Sequence, residues 1–430
     1  MMSDTSNPVH QINFKKSGSP PSRFSGVGVQ CPLFRLVYIL FIVFLFFHIR
    51  LIDNIHLGYF ILMLLFPVAF YFRRVTFRLN IFDLFFLIVT GTSLAAYTQY
   101  GYDLESIRLV IMMISYYFGY WSLKSVIFRY DDIVKKSTIL FFVLYYLRNI
   151  IFYKDFIMLF SGGRASIVQT FHSTANGGMN IECTILAFIA MLQTRKNYFY
   201  FSFINALFFS TIFGSRVGLI LTLMALVFWV YKGKTINYKN IVKLAVIFSL
   251  VLSILVFLST FLPKGNAISR FNNNNIEQEL YYGNKGIGRI GFLLGSFVLL
   301  EKNIFGYGST NSVRVMSEVT GINHLENNVH NIFLQFLLDG GIQSLIIFMI
   351  IFFLITRYLI KDKFLFPPLR IAFSYLVIGL LQFTGYDLIG WFFLGTSYGY
   401  IRSQSYLFNR PCIKHRNLDK KFTLTETAYT

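Results

Sequence analysis

Twelve apolar runs, each long enough or nearly long enough to cross a bilayer, divide the chain. They lie at residues 33–49, 56–72, 81–98, 107–123, 138–153, 179–193, 198–213, 217–231, 241–262, 342–359, 369–383 and 388–401. A helix needs about 20 apolar residues to span the hydrocarbon core. Backbone polar groups in lipid must be satisfied internally, which favours helices. The pattern therefore predicts an all-α, polytopic integral membrane protein of about twelve spans, with a membrane domain over 33–402. Residues 1–32 are polar and rich in Ser, Gly and Pro, with no apolar core of a signal peptide. They read as a disordered tail, and 403–430 as a second tail.

Two intervals between runs are too long to be turns, 154–178 and 263–330. Loops of that length carry function or structure of their own. The second holds an apolar stretch, 287–300, that is too short to span and is broken by Arg289, Gly291, Gly295 and Ser296. It predicts a structured outer cap with an interfacial or re-entrant piece, and a surface turn at 271–275. The interval closes on Glu326-Asn-Asn-Val-His330-Asn331, followed by Leu334 and Leu338 on the helical face of His330. Asn331 to Leu338 is expected as a short interfacial helix, ended by Asp339-Gly340-Gly341 before the next run.

Composition agrees with a membrane protein. Aromatic residues make up 19% of the 430 residues and charged residues 13%, and mean hydropathy is +0.58. The net charge of +20 would fit nucleic acid, but its distribution fits topology. With the N-terminus inside and the runs alternating, 27 of the 39 Lys and Arg fall on the cytoplasmic side and 11 outside, with Arg108 within a run. Both termini are then cytoplasmic, and no nucleic-acid partner is implied. Cys31, Cys183 and Cys412 are too scattered for a disulfide framework or a thiolate metal site.

The few cations on the outer side carry the candidate chemistry. Arg164 lies in Ser-Gly-Gly-Arg-Ala-Ser, Arg216 in Gly-Ser-Arg-Val-Gly, and Arg289 in Gly-Ile-Gly-Arg-Ile-Gly. Nearby glycines let backbone approach a ligand closely. A guanidinium fork binds phosphate oxygens in pairs. Singly, each arginine also fits an interfacial anchor. Arg108 and Glu182 sit near the outer ends of runs, where ionisable groups are costly and mark function. They could equally pair with each other. His330 reads either as an active group or as an incidental residue at a capped helix end. No phosphate-binding GxxxxGK[ST], GxSxG, HExxH or outer acidic pair occurs, which argues against nucleotide-driven or metal-chelating chemistry.

Three pieces in order, Gly214-Ser-Arg-Val-Gly-Leu219, Arg289 with Glu301-Lys-Asn-Ile-Phe-Gly-Tyr-Gly308, and Val329-His-Asn-Ile-Phe-Leu334 with Asp339-Gly-Gly341, resemble the O-antigen polymerase/ligase superfamily of bacterial envelope glycosyltransferases. The resemblance implies a GT-C-like helical membrane fold in the bacterial cytoplasmic (inner) membrane. It implies inverting transfer of a glycan from an undecaprenyl diphosphate carrier, with no metal or other cofactor. Arg164 with Gly177, and Arg289 with Gly306, are similar to the paired arginine-to-glycine loops of Wzy-type polymerases. Ligases often carry a second His before the His-Asn pair. Asn327-Asn328 stands there, which favours the polymerase. On this reading His330 and Arg289 are catalytic. Arg164, Arg216, Arg108, Glu182, Glu326 and Asn331 bind substrate. The partners are a lipid-linked oligosaccharide, membrane lipid, a chain-length regulator and a flippase. Alternatives are ligation onto lipid A-core and, in another class, a lipid-linked glycan flippase.

Overall fold

The computed structural model describes residues 39–43, 50–52, 55–73, 79–100, 107–126, 130–151, 175–234, 289–309, 311–321, 329–380 and 388–408, with isolated positions between 242 and 253. Helices dominate. The described strands form one short antiparallel pair, β1 (Arg50–Ile52) with β2 (Ile55–His56). In chain order the helices are α1 (Leu57–Arg73), α2 (Ile81–Tyr100), α3 (Ile107–Val126), α4 (Tyr130–Ile151), α5 (Ala175–Leu192), α6 (Lys196–Ile212) and α7 (Arg216–Tyr231). There follow α8 (Arg289–Lys302), α9 (Ser312–Thr320), α10 (Ile332–Lys361), α11 (Pro367–Ile378) and α12 (Leu388–Phe408).

Ten of the twelve apolar runs coincide with these helices. Run 33–49 is described in part, and run 241–262 lies largely outside the described residues, as do 263–288. Two helices are long and apolar enough to cross a membrane, Ile81–Gln99 and Ile332–Lys361. The helix expected at 138–153 begins earlier, at Tyr130. Its first turn carries Asp131 and Asp132, acids that suit the positive end of a helix dipole but are invisible to an apolar count.

Glycines set the closest crossing. Gly119 of α3 and Gly395 of α12 face each other's helix so tightly that a Cβ on either would collide with a carbonyl, Phe392 O or Tyr116 O. Small residues at such points let two helices approach to backbone contact. Beside this crossing lies an aromatic core. Trp391 of α12 stacks on Phe85 of α2 at 5.5 Å, and Phe336 of α10 meets the indole edge-on at 6.0 Å.

At one end of the bundle, charges counted as topology signals do structural work. Arg370 is 1% exposed and donates to the carbonyls of Phe364 (2.7 Å), Leu365 (3.1 Å) and Met191 (3.3 Å). Met191 belongs to the last turn of α5, where a cation meets the negative end of the helix. Asp362 accepts from the Tyr400 hydroxyl at 2.8 Å and the Phe366 N–H at 2.6 Å. Burial pushes its carboxyl above the usual range. Lys232 donates to Thr194 O at 2.8 Å, and burial lowers its ammonium.

A second, smaller core forms from Phe292, Leu299, Tyr307, Val313, Val315, Met316, Val329 and Leu338. It joins α8 and α9 to the start of α10. The long interval before His330 is therefore structured where it is described, as expected.

Candidate functional site

The site is built around the first turns of α10. Asn331 has extended backbone (φ −142°, ψ 120°), and its side chain accepts from the N–H groups of Phe333 and Leu334, both at 3.0 Å. This satisfies two of the donors that a helix start leaves orphaned. Its amide also donates to Leu380 O at 3.2 Å. Asn331, expected to touch substrate, is thus committed to capping α10.

The expected break falls at Gly341, where φ 76° and ψ −177° interrupt the helix. That region is essentially open to glycine alone. The reason for it lies in the segment after α8. Tyr307 N donates to Leu338 O (2.8 Å), Gly308 N to Asp339 O (2.9 Å), and Ile342 N to Ile304 O (3.1 Å). A Cβ on Gly341 would strike Phe305 O, and one on Gly306 would stand 2.6 Å from Gly341 N. The Asn303–Gly308 turn and the α10 kink therefore lock backbone to backbone. Two of the three motif pieces, far apart in sequence, form one structural unit.

His330 sits at the mouth of this unit, partly exposed, with φ 55°. A non-glycine residue in the left-handed region costs roughly 1–3 kcal/mol and persists only where its surroundings hold it. Here both flanks are tied. Val329 N donates to Gln335 Oε1 at 3.0 Å, and Ile332 N donates to Gly379 O at 2.7 Å. The imidazole meets the Phe292 ring edge-on at 6.0 Å. Arg289 opens α8, three residues before Phe292, and is exposed. Arg289 and Phe292, spaced i,i+3, share a side of α8.

Behind His330 lies a buried polar cluster that sequence reasoning missed. Gln335 Nε2 donates to Ser312 Oγ (2.9 Å) and to both carboxylate oxygens of Asp339 (2.9 and 3.1 Å). Ser312 Oγ donates to Asp339 Oδ1 at 2.8 Å. All three side chains are fully buried. Gln335 and Asp339, spaced i,i+4 in an otherwise apolar helix, were the available signal.

The remaining candidates lie elsewhere. Arg216 is the first residue of α7, whose cap Ser215 accepts from Gly218 N at 3.0 Å. Glu182 is buried and paired with Arg148 of α4. The side chain of Arg108, the other partner considered for Glu182, lies outside the described residues. Arg148, in the last turn of α4 and within the apolar run 138–153, also lies over the Tyr145 ring at 4.7 Å. Glu182 and Arg216 share one end of the bundle, because Cys183 packs against Gly218. Arg108 belongs to α3. Arg164 and Glu326 lie outside the described residues. Among the described residues no three His, Cys, Asp or Glu side chains converge as a metal site would need.

No protein-family model matches the chain, and a search of characterised proteins finds no match.

Proposed function

We propose that the chain is a membrane glycosyltransferase of the O-antigen polymerase/ligase type, acting as a polysaccharide polymerase. It transfers a growing glycan from undecaprenyl diphosphate to the terminal sugar hydroxyl of one lipid-linked repeat unit, on the outer face of the cytoplasmic membrane. The reading takes the bundle as about twelve spans with both termini inside. It takes a flippase and a chain-length regulator as working partners.

One observation supports the proposal: the His330 ring meets Phe292 of α8, three residues after Arg289 at the start of that helix. A base and a guanidinium on neighbouring elements suit this chemistry. Arg289, helped by Arg216 and Arg164, would hold the diphosphate as charge develops on the leaving oxygen. His330 would orient or deprotonate the attacking hydroxyl. Inversion follows from direct attack on the anomeric carbon opposite the departing diphosphate. No step calls for a metal.

The test is turnover of undecaprenyl-diphosphate-linked repeats extracted from the host, by purified protein. His330→Asn is the variant of choice, because Asn tolerates the left-handed backbone and takes no proton at this site. Turnover is expected to fall at least about a hundredfold with folding intact. A stable variant retaining more than about a tenth of the rate overturns the catalytic role of His330. Deletion in the host is expected to leave single repeats on the acceptor. Free polymer with bare acceptor would instead identify a ligase, and loss of all outward-facing repeats a flippase.

A further inference from the structure

We infer that Gln335, clamped by Asp339 and Ser312, is a positioning residue for His330. The inference rests on the reading of His330 as the group that acts on the acceptor, and it adds the device that holds it.

The geometry is as follows. His330 occupies a left-handed backbone conformation that its own side chain does not favour. Something outside the residue must hold it. Downstream, the Asn331 side chain caps the helix start and Ile332 N bonds to Gly379 O. Upstream, Val329 packs in the smaller core, and its N–H is held by a side chain: Gln335 Oε1 accepts from Val329 N at 3.0 Å. Gln335 is the hydrogen-bonding anchor described for that flank.

A glutamine alone would serve poorly, since its long side chain has several rotamers and its amide can flip. Asp339 and Ser312 remove that freedom. The carboxylate accepts the amide N–H groups at 2.9 and 3.1 Å. Val329 N–H can only donate, so the oxygen end of the amide faces it and the nitrogen end faces Asp339. Ser312 accepts from the amide at 2.9 Å and donates to the carboxylate at 2.8 Å, closing the ring. All three groups are buried, where such bonds are strong and a broken one is costly. Ser312 is the first residue of α9 and Gln335 lies on α10. The ring therefore also fixes the cap, and with it Phe292, against the helix that bears His330.

The experiment compares Gln335→Ala, Gln335→Glu and the double variant Gln335→Glu with Asp339→Asn. The double variant keeps an acceptor for Val329 N–H and restores a donor–acceptor pair with the direction reversed. Two readouts are taken on full-length protein in detergent. The first is the imidazole nitrogen signal of His330 in histidine-labelled protein, identified among seven histidines by its loss in His330→Asn. The second is turnover of host-extracted lipid-linked repeats. Gln335→Ala is expected to shift and broaden the His330 signal and to lower kcat about tenfold or more, with KM changed less than about threefold. Gln335→Glu alone, facing Asp339, is expected to be as impaired. The double variant is expected to recover both readouts. An unshifted His330 signal in Gln335→Ala overturns the inference. So does a double variant as impaired as Gln335→Glu. The signal decides the positioning role by itself. If it shifts as expected while wild-type protein shows no turnover, the functional proposal fails and the positioning inference stands.

Discussion

Gly341 and Arg148 show how much of this molecule rests on single side chains, or on the lack of one. Gly341 combines a positive φ with a carbonyl at the place where a Cβ would go. Gly341→Ala is expected to lower the stability of detergent-solubilised protein by about 2–4 kcal/mol, through strain and collision together. Thermal unfolding would show it, and an unchanged midpoint would mean that the kink is not needed. The neighbouring Gly340→Ala is a weaker test, since its Cβ would meet the movable Ser344 side chain. Arg148 sets a different expectation. It and Glu182 are both more than nine-tenths buried. Removing one partner leaves a lone charge in a poorly solvated place, at a cost of about 3–5 kcal/mol. Arg148→Met should therefore be far more damaging than Arg148→Met combined with Glu182→Leu. The two compared by unfolding midpoint decide the point. If the single and double variants unfold alike, the ion pair is not what holds α4 to α5.

Helix placement was largely legible in the sequence, because an apolar run of fixed minimum length leaves few other structures open to it. The α10 break was legible as well, since Asp-Gly-Gly within an apolar pattern needs a reason. What the run pattern could not give was the partner of each polar group inside a helix. Gln335, Asp339 and Arg148 look like blemishes in apolar text until another helix brings Ser312 or Glu182 to them. Charge counting likewise gives a side of the membrane and never a depth, so Arg370, counted only as a cytoplasmic-side charge, gave no sign that it is buried. The same end of the bundle offers a pH test. Burial raises the Asp362 carboxyl above its unfolded value, so the folded state keeps that proton longer than the unfolded one. Its contribution to stability is then greatest below the ordinary carboxylate range. It is lost as pH rises through the raised folded value. Asp362→Asn removes this dependence. The unfolding midpoint of the wild type should fall relative to the variant as pH rises from about 4 toward neutral. A constant difference across that range would contradict the assignment.

For the whole molecule, the two helices long and apolar enough to cross a membrane agree with the charge pattern without fixing the number of spans. The proposed layout makes one sharp prediction. Position 273, outside the described residues, should face the exterior while both termini face the cytoplasm. In a cysteine-free background, Asn273→Cys is expected to react with an impermeant maleimide on intact spheroplasts. Reaction only after lysis would reverse the proposed orientation.

The tightest crossing in the bundle also has a history. Gly119 and Gly395 meet backbone to backbone, yet the ribosome makes them some 270 residues apart. At about 5–20 residues per second, that gap is roughly a quarter to a whole minute. For that time the glycine face of α3 is complete and α12 does not exist. In the proposed membrane layout, the bare notch is borne during synthesis by lipid, by a neighbouring helix in a temporary position, or by an insertion factor. α12 then enters and closes the crossing, so the last of the described helices is also its keystone.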